Sequence, residues 1–143
     1  MEARGRVFQN LELIASYTYT DAEITSASNP VEEGEPLEYT PEHEAALWGK
    51  YAFHGGALNG LGLGAGVRYI GKSYGALFNG NNEALEVPSV TLVDASVTYD
   101  FGQIALGIHA QNLLDKKYVA TAFDSSATYG TRREVTGSLT YRF

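Results

Sequence analysis

Six stretches of this chain alternate with a period of two, and one face of each is free of charge. Those faces read Leu11, Leu13, Ala15, Tyr17, Tyr19; Ala45, Leu47, Gly49, Tyr51, Phe53; and Leu61, Leu63, Ala65, Val67, Tyr69 in the first half. The second half gives Val93, Ala95, Val97, Tyr99, Phe101; Ile104, Leu106, Ile108, Ala110, Asn112; and Val135, Gly137, Leu139, Tyr141, Phe143. Alternate residues of a strand point to the same side, so each set is one face of a β-strand. With 19% of the chain charged, about six charges would fall on thirty random positions. None does, and Asn112 is the one amide. The interleaved positions include Glu12, Lys50, Arg68, Asp94, Ser96, Thr98, Asp100, His109, Ser138 and Arg142, with Gly62, Gly64 and Gly66 on one strand. Ile14 and Trp48 are the large apolar exceptions on that side. The expected fold is therefore all-β, an antiparallel meander of six to seven strands. Ala3 to Phe8 supplies the end of the seventh, and Gln9-Asn10 its turn.

Connection lengths separate two ways of covering the apolar face. The links at 20–44, 70–92 and 113–134 are long, whereas those at 54–60 and 102–103 are short. A soluble antiparallel sandwich with one buried face gives no reason for that rule. A barrel crossing an outer membrane does, with tight turns on one side and long loops on the other. Nine residues tilted by about 45° rise roughly 20–25 Å, the height of such a barrel's apolar band. Tyr51 and Phe53, Tyr99 and Phe101, and Tyr141 and Phe143 end three strands at equivalent depth, and Tyr19 and Tyr69 end two others on the opposite side. Rings collect at both membrane interfaces because one edge meets headgroups and the other hydrocarbon. A mean hydropathy of -0.18 is compatible with this, since alternating strands average out.

Six or seven strands do not close a membrane barrel, and an open sheet leaves two unpaired edges in lipid. The chain thus reads as a piece of a larger barrel, truncated near Met1. Its first residues, Met-Glu-Ala-Arg-Gly-Arg, lack the apolar core of a signal peptide.

Other chemistries find little support. Ten basic against seventeen acidic residues give a net charge of -7, which disfavours a nucleic-acid surface. Without cysteine there is no thiol nucleophile or thiolate-bound metal. His43, His54 and His109 lack metal-site spacing, and no nucleophile elbow is present. Asp94 and Asp100 stand about 20 Å apart along one strand, too far for a glycosidase pair. The chain reads as a non-enzyme. Eight acids at 21–44 could suit a cation, but Pro30, Gly34 and Pro36 break any regular ligand spacing, so a solvated loop is expected. The glycines at 60, 62, 64 and 66 follow period two and are expected to leave space on the polar side. His109, on that side, is expected to bond a neighbour or an inserted domain.

The segment Asn112-Leu113-Leu114-Asp115-Lys116-Lys117-Tyr118 resembles the Asn-Leu-Phe-Asp-Lys-x-Tyr signature of TonB-dependent outer-membrane receptors, with Leu114 in place of the usual Phe. Tyr-Thr-Tyr-Thr-Asp-Ala-Glu at 17–23, Thr-Pro-Glu-His at 40–43, Gly-Val-Arg-Tyr-Ile-Gly at 66–71 and Thr-Tyr-Arg-Phe at 140–143 look like the ferrichrome and ferrioxamine branch. The resemblance implies that residues 1–143 are the C-terminal part of a 22-stranded barrel domain, without its plug. It implies an outer-membrane receptor of a Gram-negative bacterium that takes up ferric siderophores, powered by TonB acting on that plug. Iron would be carried by the siderophore, with no cofactor in the protein. Loop aromatics Tyr39, Tyr74, Phe78, Phe123 and Tyr129 are the candidates for siderophore contact. Tyr141 and Phe143 resemble the terminal signal read by the barrel-assembly machinery, and outer-membrane lipid and lipopolysaccharide are further expected partners. A receptor for cobalamin or an oligosaccharide, or a soluble β-sandwich binding module, stays open at this point. The isolated piece is expected to be inactive.

Overall fold

In the computed structural model the described residues are 1–28, 33–75, 85–123 and 126–143. The strands are β1 (Glu2–Phe8), β2 (Leu11–Tyr19), β3 (His43–Ala52), β4 (Leu61–Ile70), β5 (Ser73–Tyr74), β6 (Glu86–Val87), β7 (Val90–Asp100), β8 (Ile104–Gln111), β9 (Val119–Phe123), β10 (Ser126–Tyr129) and β11 (Glu134–Tyr141). Seven of them form one antiparallel sheet in the order β1-β2-β3-β4-β7-β8-β11. Every sheet strand pairs with the next one in sequence, so the wall is a pure meander. The two-stranded ladders β5-β6 and β9-β10 sit inside two of the long links.

Register keeps the apolar face intact across the sheet. Ala15 opposes Leu47, Leu47 opposes Val67, Val67 opposes Val93, and Leu63 opposes Val97. Val97 in turn faces Ile108, which faces Gly137, while Leu106 faces Leu139. A slip of one residue anywhere would turn a strand's apolar set to the other side. Among the described residues no second layer covers this face. Leu47 and Val97 are each 48% exposed, Ile108 59% and Leu139 70%. The sandwich reading required these side chains to be buried, so it fails here. A compact protein of this mass exposes about 7,200 Å²; this chain exposes 9834 Å².

Ring pairs mark the short-turn end as expected. Tyr51 and Phe53 meet edge-on at 4.8 Å, and Tyr99 and Phe101 lie at 4.5 Å. At the far end Tyr17 and Tyr19 flank His43, whose Nδ1 is 2.9 Å from the Tyr17 hydroxyl. The short links turn tightly. Gly60 takes φ +91° and lies so close to the Asp100 carbonyl that a Cβ would collide with it. Gly102, at φ +93°, donates its N–H to Asp100 Oδ1 at 2.7 Å.

The expectation that Gly62, Gly64 and Gly66 leave open space needs correction. The Trp48 indole lies across two of them: a Cβ on Gly64 would come within 2.5 Å of Trp48 Cζ2, and one on Gly66 within 2.5 Å of Trp48 Cε3. A Cβ on Gly62 would meet the Thr98 hydroxyl at 2.5 Å. The glycines form a floor for neighbouring side chains, and the single tryptophan fills the volume they vacate.

Among the described residues, the buried apolar side chains lie at the long-link end and not in the sheet centre. They are Val87, Val90, Leu92 and Ala122. Gly75 packs against Ala122 so closely that no Cβ fits between them. The Tyr39 N–H bonds the Tyr74 carbonyl at 2.7 Å, tying the first long link to the second. The described parts of the three long links therefore pack together.

Candidate functional site

The outer-end assembly stands on polar locks that the strand ends supply. Asp94 on β7 accepts a two-pronged bond from Arg68 on β4, at 2.6 and 3.1 Å. The same carboxylate accepts the Asn112 N–H at 2.9 Å. Asn112 is 2% exposed and leaves β8 with φ +47°, a conformation asparagine tolerates better than most residues. Its amide nitrogen donates to the carbonyls of Lys116 (2.9 Å) and Thr131 (3.1 Å), and its Oδ1 accepts the Lys116 N–H at 2.9 Å. One side chain thus closes the turn after β8 and holds the chain that enters β11.

Asp115 completes the lock. Also at positive φ, it accepts Arg132 Nε at 2.7 Å, a second bond from Arg132 Nη2, and the Arg133 N–H at 3.0 Å. Arg132, followed by the Arg133 N–H, holds its carboxyl well below the usual carboxylate range. Tyr118 packs on Gly130, where a Cβ has no room, and its carbonyl accepts the Gly130 N–H at 2.9 Å. The 112–118 motif is therefore a clamp across the two ends of the last long link. Leu113 and Leu114 are exposed, Leu114 at 72%.

The five loop aromatics do not form one group among the described residues. Tyr39 and Tyr74 are brought together by their backbone bond. Tyr74 lines a cleft of about 170 Å³ with Thr20, Asp21, Glu23, Thr40, Glu42 and Lys72. Lys72 donates to the Tyr74 hydroxyl at 3.1 Å and sits 5.5 Å from the centre of its ring. That hydroxyl, then Glu86 and Glu42, push the Lys72 ammonium pKa up. Tyr129 stands apart on β10, in a separate cleft of about 390 Å³ with Lys117 and Arg132. Phe78 and the Phe123 side chain lie outside the described residues. In the acidic link, Glu23 bridges Pro36 and the Ala27 N–H reaches Glu33 Oε1 at 3.4 Å. No group of three His, Asp or Glu side chains is arranged to hold a metal among the described residues.

On the inward face of the sheet, Lys50, Thr98, Asp100, Ser138 and Arg142 line a concavity of about 580 Å³ at the short-turn end. Arg142 bonds Asp100 Oδ2 and the Gly102 carbonyl, each at 2.9 Å. Further along the same face, toward the long links, His109 opposes Ser96 and Thr136 and is exposed. At the terminus Tyr141 is 56% exposed and Phe143 fully so. Sequence reasoning missed the Arg68–Asp94 pair and the role of Lys72. The first was recoverable from register, because Gly66 opposes Asp94 and places Arg68 on the diagonal.

Comparison with known proteins places the whole chain. A family described as "TonB dependent receptor-like, beta-barrel" matches residues 1–113. The chain is 38% identical over its full length to the Ferrichrome outer membrane transporter/phage receptor of Escherichia coli strain K12, spanning 19% of that protein. It is likewise 38% identical over its full length to the Ferrioxamine B receptor of Salmonella typhimurium, spanning 20%. Among solved structures it resembles the ferric-catecholate import receptor Fiu from K12 E. coli with a TM-score of 0.81 at 25% identity, covering 99% of this chain and 20% of that one. The chain thus spans about a fifth of the length of the relatives it matches.

Proposed function

Because the chain belongs to the TonB-dependent receptor-like β-barrel family, we propose that it is a wall segment of a receptor that carries ferric siderophores inward. The observation that supports this most is the unbroken register of one apolar face, exposed from β2 to β11, beneath a packed group of long links. Its place is the outer membrane of a Gram-negative bacterium. Residues 1–143 are the C-terminal part of the barrel domain, and TonB acts through a plug domain elsewhere in the receptor. The role is transport, without catalysis. Iron arrives ligated by its siderophore, and the protein supplies no resident cofactor. A hydroxamate siderophore is the favoured substrate, since the two curated relatives above are named for ferrichrome and ferrioxamine B.

Tyr74 and Tyr39, with Phe78, Phe123 and Tyr129, are the side chains proposed to meet the ligand. Lys72 joins them, because it shares the cleft of Tyr74. The clamp of Asn112, Leu113, Leu114, Asp115, Lys116 and Tyr118 holds the loops and does not touch ligand. Tyr141, the last residue of the edge strand, and Phe143, two residues beyond it, are exposed and offer a chain end to the assembly machinery.

The test is uptake of radioactive iron by receptor-deficient cells given the full-length receptor. Hydroxamate-bound iron should accumulate only when TonB is present, and Tyr74→Ala should reduce uptake at limiting ligand. Accumulation of cobalamin or an oligosaccharide, with none of any ferric siderophore, would overturn the substrate assignment.

A further inference from the structure

On the inward face of the wall, Arg68 opposes Leu92, and Asp94 opposes Gly66, so the two charges stand on a diagonal between β4 and β7. A guanidinium is long enough to cross it. Its fork fixes the carboxylate: Nε donates to Oδ2 at 2.6 Å and Nη2 to Oδ1 at 3.1 Å. Oδ1 also accepts the Asn112 N–H at 2.9 Å. The Asp94 side chain is only 14% exposed, whereas that of Arg68 is 41% exposed. A carboxylate so far from water holds its orientation only while its charged partner stays in place. The bond to Asn112 therefore depends on Arg68, which does not touch Asn112 itself.

What Asn112 holds next reaches the outer clefts. Its side chain bonds the N–H and carbonyl of Lys116 and the carbonyl of Thr131. The residues that follow these two, Lys117 and Arg132, line the cleft of Tyr129. Asp115, in the same turn, ties Arg132 to it a second time. Both walls of the cleft thus hang on one turn, and the backbone of that turn hangs on Asp94. The strand end below is anchored separately, because the Leu113 N–H bonds the Val93 carbonyl at 2.7 Å. Loss of Arg68 therefore frees the turn and not the wall. We infer that Arg68 is the positioning residue of the Tyr129 cleft: from the inner wall, and without touching ligand, it sets Lys117 against Tyr129 and Arg132. That the cleft meets the transported ligand rests on the function proposed above; the ordering of the turn does not.

The experiment uses the full-length receptor in phosphatidylcholine nanodiscs. Hydrogen exchange of the peptide covering 112–118 is followed by mass spectrometry, together with the release rate of a radioactive ferric trihydroxamate. Arg68→Met should speed both about tenfold, as for one lost charge-assisted bond, and leave exchange of the β8 peptide unchanged. Arg68→Lys keeps the charge without the fork and should recover only part of the loss. The decisive variant exchanges the pair, Arg68→Asp with Asp94→Arg. An ion pair forms again, but a guanidinium then faces the Asn112 N–H, donor against donor. Exchange at 112–118 should stay fast in this variant. Wild-type protection in Arg68→Met would overturn the proposal. So would wild-type protection in the exchanged pair, which would leave Arg68 a charge partner within the wall alone. Faster release with unchanged exchange would put Arg68 in contact with ligand and overturn it too. Heat-modifiable mobility in gels checks folding, and Arg68→Lys with the exchanged pair decides the matter if Arg68→Met does not fold. Absence of trihydroxamate binding by the wild type would count against the transport reading, while the exchange rates still decide the role of Arg68.

Discussion

The wall and the outer-end assembly solve opposite problems with the same chain. Along the wall, Val97, Ile108 and Leu139 are exposed, and among the described residues no protein layer covers them. At the outer end, Leu92 is 2% exposed, Val87 and Val90 4%, and Ala122 2%. The wall borrows its apolar environment from lipid, so its hydrogen bonds must be complete within the sheet. The outer end stands in water and must build its own core, which it does by packing β6 against β9 and locking the strand ends with Asn112 and Asp115. The lesson is that one substitution type should do different things in the two regions.

The largest contrast to probe is burial. Leu92→Ala should cost about 2–5 kcal/mol in denaturant unfolding of the full-length receptor, because it opens a cavity in protein. Leu139→Ala removes the same atoms from a face that lipid can refill, and should cost distinctly less. Equal losses would mean that the wall is packed against protein.

Charge gives the next contrast. Val97→Arg places a guanidinium in hydrocarbon and should cost about 2–4 kcal/mol, seen as lost folded yield. Thr136→Arg, on the inward face opposite His109, should be tolerated. Similar damage at both sites would break the assignment of faces.

The terminus sharpens the comparison within the wall. Phe101→Ala should cost only the local burial of one ring, about 1–3 kcal/mol. Deleting Phe143 should lower the amount of assembled receptor far more, if a free strand end is what the assembly machinery captures. Comparable effects would leave Phe143 as one more girdle residue.

The smallest effect lies in the clamp and depends on pH. The Asp115 carboxyl is held low by Arg132 and by the Arg133 N–H. A folded-state pKa below the unfolded value stabilises the clamp above about pH 4 and loses that contribution as pH falls through the folded value. Exchange protection of the Leu113 and Arg133 amides, corrected for intrinsic rates, should thus fall at acid pH in the wild type. In Asp115→Asn it should already be low at neutral pH and change little. Parallel profiles would show that the carboxylate does not hold the loop.

How much of this was legible depended on which solvent each residue meets. Hydrocarbon tolerates no charge on alternate residues, so the window from Leu11 to Tyr19 coincides with β2 and the one from Ile104 opens β8. Above the lipid that demand lapses. The alternation therefore missed the start of β3 at His43 and of β7 at Val90. The ladders β5-β6 and β9-β10 left no periodic trace, since contacts between loops hold them, such as Gly75 on Ala122. The inward glycines were seen but misread, because their partner Trp48 sits on another strand. The 112–118 segment was legible as a motif and silent about its chemistry, which needs the Thr131 carbonyl brought from the far end of the link.

The central claim is that one face of this sheet meets lipid. Because the chain has no cysteine, spin labels can be placed singly along β7 of the full-length receptor, provided that other cysteines are removed. Labels at positions 93 to 99 are then compared for collision with oxygen, which concentrates in lipid, and with a water-soluble nickel complex. The account predicts period-two oxygen accessibility, high at Val93, Ala95, Val97 and Tyr99 and low at Asp94, Ser96 and Thr98. Flat accessibility, or maxima at Asp94, Ser96 and Thr98, would contradict it.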